Sequence, residues 1–371
     1  MKAPAVLAAA GLAALAIAWS CAHGGAPAPV AAVPADAGMT TAAKPAPPPG
    51  PRWLKGNTHT HTGVSGDSQT DPDDVVRWYS EHGYDFVVFT DHNMVTTHPS
   101  SDQLLVLPGV ELTHNPAHCQ PPPPEPNGKC RIHVNALFVR EHPTEKLVWQ
   151  DDKVVDRVGK YQLAFDEARR LGGLIQVNHP NWHWGVNGEL LTELARRGAV
   201  LVEIANQAFV TWNVGRPGKY PSTEEVWDQA LTAGAHIWGV ASDDAHNYYD
   251  VPFQREHGYG YGYPPGYGYV MVWARKQPEA IREAMEAGRF YASTGVQLER
   301  AEVDDGKLVV EVAPGGFAPY TIVFIGKGGA ELARHEAADS AAYPLVDDGY
   351  VRAVVIDEYG QRAWVQPHWK N

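Results

Sequence analysis

Seven short runs rich in Val, Ile, Leu and Phe recur along this chain, at 54–58, 86–90, 104–112, 134–139, 174–178, 200–205 and 237–241. Runs this short and this apolar suit strands buried on both faces, which requires a sheet covered by helices. Helix signals fall between several of them. Asp71-Pro72 supplies a cap and a first-turn proline, with Gly83 as the stop. Apolar residues recur at helical spacing over 161–171 and end in Gly172-Gly173. Ser222-Thr223-Glu224-Glu225 reads as a capping box, and 278–287 forms a further helix before Gly288. Seven buried strands alternating with helices predict an α/β fold, a closed or nearly closed barrel. The stretch 113–131, where a loop replaces a helix, keeps an open doubly wound sheet as the alternative.

Beyond residue 297 the pattern changes to period two. Leu308-Val309-Val310-Glu311-Val312, Thr321-Ile322-Val323-Phe324-Ile325 and the run from Tyr350 to Ile356 alternate between Gly- and Asp-rich turns. That alternation predicts a small C-terminal antiparallel β-sandwich over 297–371, packed on a barrel over 52–296. No cluster of ligand-type residues falls in the sandwich.

The N-terminus reads as an export signal over 1–21: Lys2, a short Ala/Leu-rich stretch, then Ala18-Trp19-Ser20-Cys21. Its end is similar to a bacterial lipoprotein cleavage box with Cys21 as the lipidated residue. Ordinary secretion and a transmembrane anchor are the alternatives. The segment 22–51, rich in Ala, Pro and Gly, reads as an extended tether. The expected location is therefore outside the cytoplasm, periplasmic or at the cell surface, on a bacterial membrane. In such an oxidising compartment Cys119 and Cys130, flanking a Pro-rich loop, read as a disulfide; a zinc clip with His114 and His118 is the alternative.

Polar residues sit where the apolar runs stop. His59-Thr60-His61, Asp91-His92, Glu111, His133, His179 and Asp244-Ala245-His246 are all good nitrogen or oxygen metal ligands. Residues two apart on a strand face the same side, so both imidazoles of His59 and His61 can reach one ion. Glu111 lies inside an apolar stretch and needs a partner there. Groups at strand ends, rather than within strands, are what a site built on a sheet of parallel strands shows. The pattern points to a metallohydrolase.

Those motifs, with Thr90-Asp91-His92, Gly109-Val110-Glu111, His133-Val134-Asn135 and Asn178-His179-Pro180, resemble in type and order those of the polymerase and histidinol phosphatase (PHP) family. The resemblance runs from about Trp53 to Gly295. Tyr291-Ala292-Ser293-Thr294-Gly295 and Ala363-Trp364-Val365-Gln366-Pro367 are similar to the branch that contains a carbaryl-type carbamate and ester hydrolase. The resemblance implies a distorted seven-stranded (β/α) barrel and two or three divalent transition-metal ions, Zn, Mn or Fe. His59, His61, Glu111 and Asp244 would hold one ion, with Glu111 bridging to a second on His133 and His179. Asp67, His92 and His246 would hold a third. Ser65-Gly66-Asp67 departs from the Ser-Asp-Gly common in the family. Asp91 and Asp243 would orient neighbouring ligands.

The formal net charge is −13, which disfavours a nucleic-acid partner, so an anionic substrate must be attracted locally. Three divalent cations would outweigh Asp67, Glu111 and Asp244 and favour a bridging hydroxide beside a phosphate ester. The expected activity is hydrolysis of a small phosphate ester. A carbamate or carboxyl ester attacked at the same site is the alternative, and a non-catalytic metal-binding surface lipoprotein is the second. Arg216, Lys219, Arg255 and Arg289 are candidate phosphate contacts. Asn181-Trp182-His183-Trp184 could line the pocket or pack the core, and the Tyr/Gly-rich stretch 259–269 reads as a loop that is either a lid or plain surface.

Overall fold

Strand β1 (Arg52–Asn57) is the first element in a computed structural model that describes residues 50–249 and 263–370. The leader, Cys21, nearly all of the tether, Arg255 and much of the Tyr/Gly-rich stretch lie outside the described residues. Helix α1 (Pro72–Glu81) starts as its sequence predicts, with the Asp71 carboxylate accepting from the Asp73 amide at 2.9 Å. There follow β2 (Phe86–Phe89), β3 (Leu105–His114), β4 (Ile132–Leu137), α2 (Arg157–Arg170) and β5 (Leu174–Val177). Then come α3 (Gly188–Arg196), β6 (Leu201–Asn206), the short α4 (Val210–Asn213), α5 (Thr223–Thr232) and β7 (Trp238–Ser242). Ser222 and Glu225 form the reciprocal capping box at the start of α5.

These seven strands hydrogen-bond in sequence order, and the sheet continues past β1 through β8 (Tyr269–Ala274) and β9 (Phe290–Ser293), with α6 (Pro278–Glu286) between them. β1–β2, β2–β3, β5–β6 and β6–β7 are parallel. β4 departs from the predicted strand–helix alternation by running antiparallel to both β3 and β5. The cause is the connection: 115–131 crosses to β4 without a helix, and hydrogen-bonded neighbours joined that way reverse direction. The Cys119–Cys130 disulfide closes this connection, with 6.0 Å between the Cα atoms.

The remaining strands are β10 (Leu298–Asp304), β11 (Lys307–Val312), β12 (Thr321–Gly326), β13 (Ala330–Glu336), β14 (Ser340–Pro344), β15 (Val351–Ile356) and β16 (Arg362–His368). Their pairing is antiparallel, as the period-two alternation predicts. β10, β11 and β14 form a separate three-stranded sheet, whereas β12, β13, β15 and β16 extend the large sheet to thirteen strands. The join is the pairing of Trp364 with Ala292, where β16 meets β9. The architecture is mixed α/β, with one large sheet and one small antiparallel sheet.

Alternation along β4 to β6 sorts side chains between two environments. Ile132, Val134, Ala136, Ile175, Val177, Val202 and Ile204 pack outward with Phe165, Leu191 and Trp227 of the helices. On the other face, Leu137, Leu174 and Leu201 join Leu54, Val88, Leu107 and Val240 in an apolar floor. His133, Asn135, Gln176 and Glu203 point the same way from higher along the strands and are all buried. A dry floor with polar groups above it is what positions the site.

Candidate metal centre

Glu111, 1 % exposed on its side chain, is the hub. Its Oε2 lies 2.6 Å from His92 Nδ1 and its Oε1 3.0 Å from His133 Nδ1. His59 Nε2 and His179 Nε2 each stand 3.5 Å from Oε1, and His61 Nε2 stands 3.8 Å from Oε2. Asp244 Oδ1 is 3.2 Å from both His59 Nε2 and His61 Nε2. Asp67 Oδ2 closes the outer edge, 2.9 Å from His92 Nε2 and 3.4 Å from His246 Nε2. Gly66, at φ +90°, makes the turn that carries Asp67 there. All nine ligand-type residues read from the sequence therefore meet at one place. Their donor atoms group as His59, His61 and Glu111, as Glu111, His133 and His179, and as His61, Asp67, His92 and His246, so His61 belongs to two groups.

The backbone is strained at this place. Asn93, His179 and Asp244 take φ values of 55°, 25° and 51°, in the left-handed region that non-glycine residues avoid. Asp244 is held there because its amide donates to the His59 carbonyl at 3.0 Å, while the His61 amide donates to the Ala245 carbonyl at 2.9 Å. These bonds couple the segment after β1 to the segment after β7.

Asp91 and Asp243 stand back from the ligands. Asp91 accepts from the Thr62 amide and hydroxyl at 2.6 and 2.8 Å and from Thr96, and so fixes the chain just after His61. Asp243 accepts from Asn57 Nδ2 at 2.6 Å and from the amides of Gly266, Tyr267 and Gly268. Among the described residues neither is hydrogen-bonded to a ligand imidazole; Asp243 acts on Asn57, whose Oδ1 accepts from the His59 amide at 2.9 Å. Glu203 bonds at two ligand positions: its Oε1 takes His59 Nδ1 at 2.7 Å and its Oε2 takes the His179 amide at 2.6 Å. Ser65 Oγ lies 3.0 Å from His61 Nδ1, Thr113 Oγ1 2.7 Å from His92 Nδ1, and Asn115 Oδ1 3.0 Å from His133 Nε2. Asn178 donates to Glu111 at 2.9 Å and Asn206 to Asp244 at 3.1 Å. Glu203 escaped the sequence reading, although Leu201-Val202-Glu203-Ile204 carries the same signal as Glu111, a carboxylate inside an apolar strand.

Electrostatics divides the imidazoles. Burial drives His61 down to about 3, helped by the neighbouring His246, and drives His133 down to about 4 against the pull of Glu111. Burial opposes charge on His92 too, but Glu111 and Asp67 outweigh it and raise its pKa to about 10. Glu111 is fully buried, yet His133, His92 and His59 hold its carboxyl well below the usual range. Asp243 is pushed up to about 6 by burial, against the amides of Gly266, Gly268 and Tyr267.

The donor set fits metal ions by a direct test. Among the described residues, His59 Nε2 and His61 Nε2 are buried polar atoms without a hydrogen-bond partner. Buried polar atoms are ordinarily satisfied, and both of these face Asp244 Oδ1 and Glu111. Their Nδ1 atoms are taken by Glu203 and Ser65, which leaves Nε2 as the atom presented inward.

The cleft over this centre has a volume of about 330 Å³, and Trp182, Phe209, Trp212 and Tyr263 form its aromatic wall. Trp182 and Trp184 divide the two readings of their motif. Trp182 lines the cleft, whereas Trp184 is buried and stacks on Tyr220 with 4.4 Å between ring centres. Arg216 and Lys219 pair with Glu125 at 3.0 and 2.8 Å, and Arg289 lies in the turn before β9, outside the cleft lining.

No family model matches the sequence, and no curated protein matches it. A similar solved structure is a two-domain protein from Bacteroides vulgatus described as containing a predicted PHP-like metal-dependent phosphoesterase. It aligns with a TM-score of 0.44 and 18 % identity, over 86 % of this chain and 96 % of its own.

Proposed function

We propose that this protein is a metal-dependent hydrolase of small phosphate esters. The observation that carries the reading is the pair of buried, unpartnered imidazole nitrogens of His59 and His61 facing Asp244 and the shared Glu111. The order of the ligand motifs, similar to the polymerase and histidinol phosphatase family, supports a phosphoesterase. We read β1 to β7 as a distorted barrel, supported by the His59–Asp244 and His61–Ala245 backbone bonds.

His59, His61 and Asp244 would hold one ion, His133 and His179 a second, with Glu111 shared between them. Asp67, His92 and His246 would hold a third, with His61 in reach. Divalent cations supply Lewis acidity at such a site, making water acidic enough to serve as the nucleophile near neutral pH. Glu203 keeps the His59 ring aimed inward, and Glu111 keeps five imidazoles converged. The aromatic wall and the leucine floor exclude bulk water, which strengthens every electrostatic contact inside.

A specific observation favours a second reading, a carbamate or carboxyl ester: among the described residues the cleft lining contains no Lys or Arg. The assay that separates the two is the metal-loaded full chain with p-nitrophenyl phosphate beside p-nitrophenyl acetate, using His61→Ala and Asp244→Ala as controls. Phosphate release lost in both variants is the expected result. Ligand-dependent hydrolysis of the acetate alone selects the second reading, and silence on both with metal bound overturns both. The Cys119–Cys130 disulfide supports placing the protein in an oxidising compartment, where we propose it is anchored through Cys21. Palmitate labelling of Cys21 in a bacterial host, absent in Cys21→Ser, tests that placement.

A further inference from the structure

One cation near the centre is unclaimed. Arg131 precedes β4 by a single residue and His133 by two, and it is only half-buried. Among the described residues it has no carboxylate partner. Its Nη1 donates to the Cys130 carbonyl at 3.1 Å, and its Nε is buried without any hydrogen-bond partner. The other basic residues nearby are committed or exposed. Arg216 and Lys219 serve Glu125, Arg157 donates to the Pro121 and Gly185 carbonyls, and Lys129 is exposed.

Its position is built rather than incidental. The guanidinium carbon lies 4.9 Å from the centre of the Trp182 ring. That ring lines the cleft and meets His133 edge-on at 5.4 Å and His179 at 5.2 Å. The Trp182 amide donates to the His179 carbonyl at 2.9 Å, and the next two residues take φ values of 55° and 56° to complete the turn. On the other side, Cys130 is tied to Cys119, whose sulfur accepts from Arg157 Nη2 at 3.1 Å. A disulfide and a buried arginine thus hold the root of Arg131, while a strained turn holds the ring beneath it. A planar, half-buried guanidinium without a carboxylate partner, at the edge of an aromatic cleft, is suited to an oxyanion.

We propose that Arg131 is a substrate-recognising residue that binds an anionic oxygen of the ester at the rim of the cleft and selects phosphate over neutral esters. The proposal rests on the hydrolase reading above and goes beyond it by naming the residue that sets substrate charge. It also answers the lack of Lys and Arg in the lining, because the cation stands one ring further out.

The test uses the full chain loaded with manganese, with inorganic phosphate as the probe in calorimetry and Trp182 fluorescence as a second signal. Arg131→Gln is expected to weaken phosphate binding by about tenfold or more, with Arg131→Lys recovering part of the loss. In turnover the loss should fall on KM for p-nitrophenyl phosphate more than on kcat, and more on that ester than on the acetate. Equal phosphate affinity in wild type and Arg131→Gln overturns the proposal, as does a wild type that binds no phosphate. A fall in manganese content in Arg131→Gln also overturns it, since the residue would then act through the ligands. If the wild type hydrolyses neither ester, the hydrolase reading fails while calorimetry still decides Arg131.

Discussion

Two buried charged clusters lie in this molecule, and they are finished differently. Around Arg352, 1 % exposed, the partners match. Asp228 accepts from it at 2.8 and 2.6 Å, Glu224 accepts at 2.9 Å, Arg362 adds a second cation at 3.2 Å from Glu224, and Tyr350 donates to Asp228 at 2.6 Å. The one guanidinium nitrogen left over, Nη1, has the Trp227 ring 5.0 Å from the guanidinium carbon. Around Glu111 the partners do not match. Imidazoles crowd a single carboxylate, two of their buried nitrogens make no hydrogen bond although Asp244 Oδ1 stands 3.2 Å from each, and neighbouring histidines are driven in opposite directions, His61 to about 3 and His92 to about 10. In the first cluster each carboxylate has a cation, and the pairs fasten α5 to β15. The second presents donor groups that could hold metal ions. Burial of charge is therefore by itself no sign of function.

The largest expected effect separates the clusters outright. His61→Ala or Asp244→Ala should reduce hydrolysis to background and lower bound metal, read by elemental analysis, while thermal unfolding of the metal-free chain changes little. Arg352→Met should do the reverse. Leaving Asp228 and Glu224 buried without their cation should cost about 3–5 kcal/mol of stability in denaturant unfolding, with bound metal unchanged. Loss of metal in Arg352→Met would show that the two clusters are coupled.

Glu203→Gln comes next. Substituting the carboxylate that aims His59 should reduce metal affinity or turnover by roughly 10–100-fold, with the circular dichroism spectrum retained. An unchanged affinity would mean that the packing of His59 suffices to orient it.

The smallest effects are in pH. Glu224 is buried, which raises a carboxyl, but Arg352 lowers it further, so its folded pKa falls below the ordinary 4.5. The stability this provides is present above pH 4.5 and is lost as pH falls through the lower folded value. Melting temperature should accordingly hold from pH 7 to 5 and then fall, less steeply in Arg352→Met. The metal cluster has the opposite reason to prefer high pH. With His92 at about 10 in the metal-free chain, a cation that takes its nitrogen must expel a proton. Affinity should rise about tenfold per pH unit for one proton released, and calorimetry in two buffers of different ionisation enthalpy counts that proton.

Much of the centre was legible because of where its residues fall. Most of the ligands mark an end of an apolar run, with Glu111 inside one and Asp67 in the loop after β1, and the sheet gathers neighbouring strands whatever the sequence distance between them. The capped helices at Asp71 and Ser222 were equally plain, since a cap is a contact within four residues. Glu203 was within reach of the same reasoning. The partners of Asp91 and Asp243 are not legible in the sequence, since their oxygens meet backbone amides and Thr62, Thr96 and Asn57 from separate elements.

By itself the sequence determined strands β1 to β7, β11, β12 and β15, helices α1, α2, α5 and α6, the antiparallel character of the C-terminal strands and the nine ligand-type side chains that converge. Local periodicity and residue chemistry suffice for these. Only the tertiary structure decided the reversal of β4, the continuation of the sheet from β9 into β16, the pairing of Glu203 with His59 and the place of Arg131 over Trp182. Each joins residues through the packing of separate elements. Sequence periodicity records which face a residue occupies, while its partner across a gap is set by register, strand direction and the shape left by everything else.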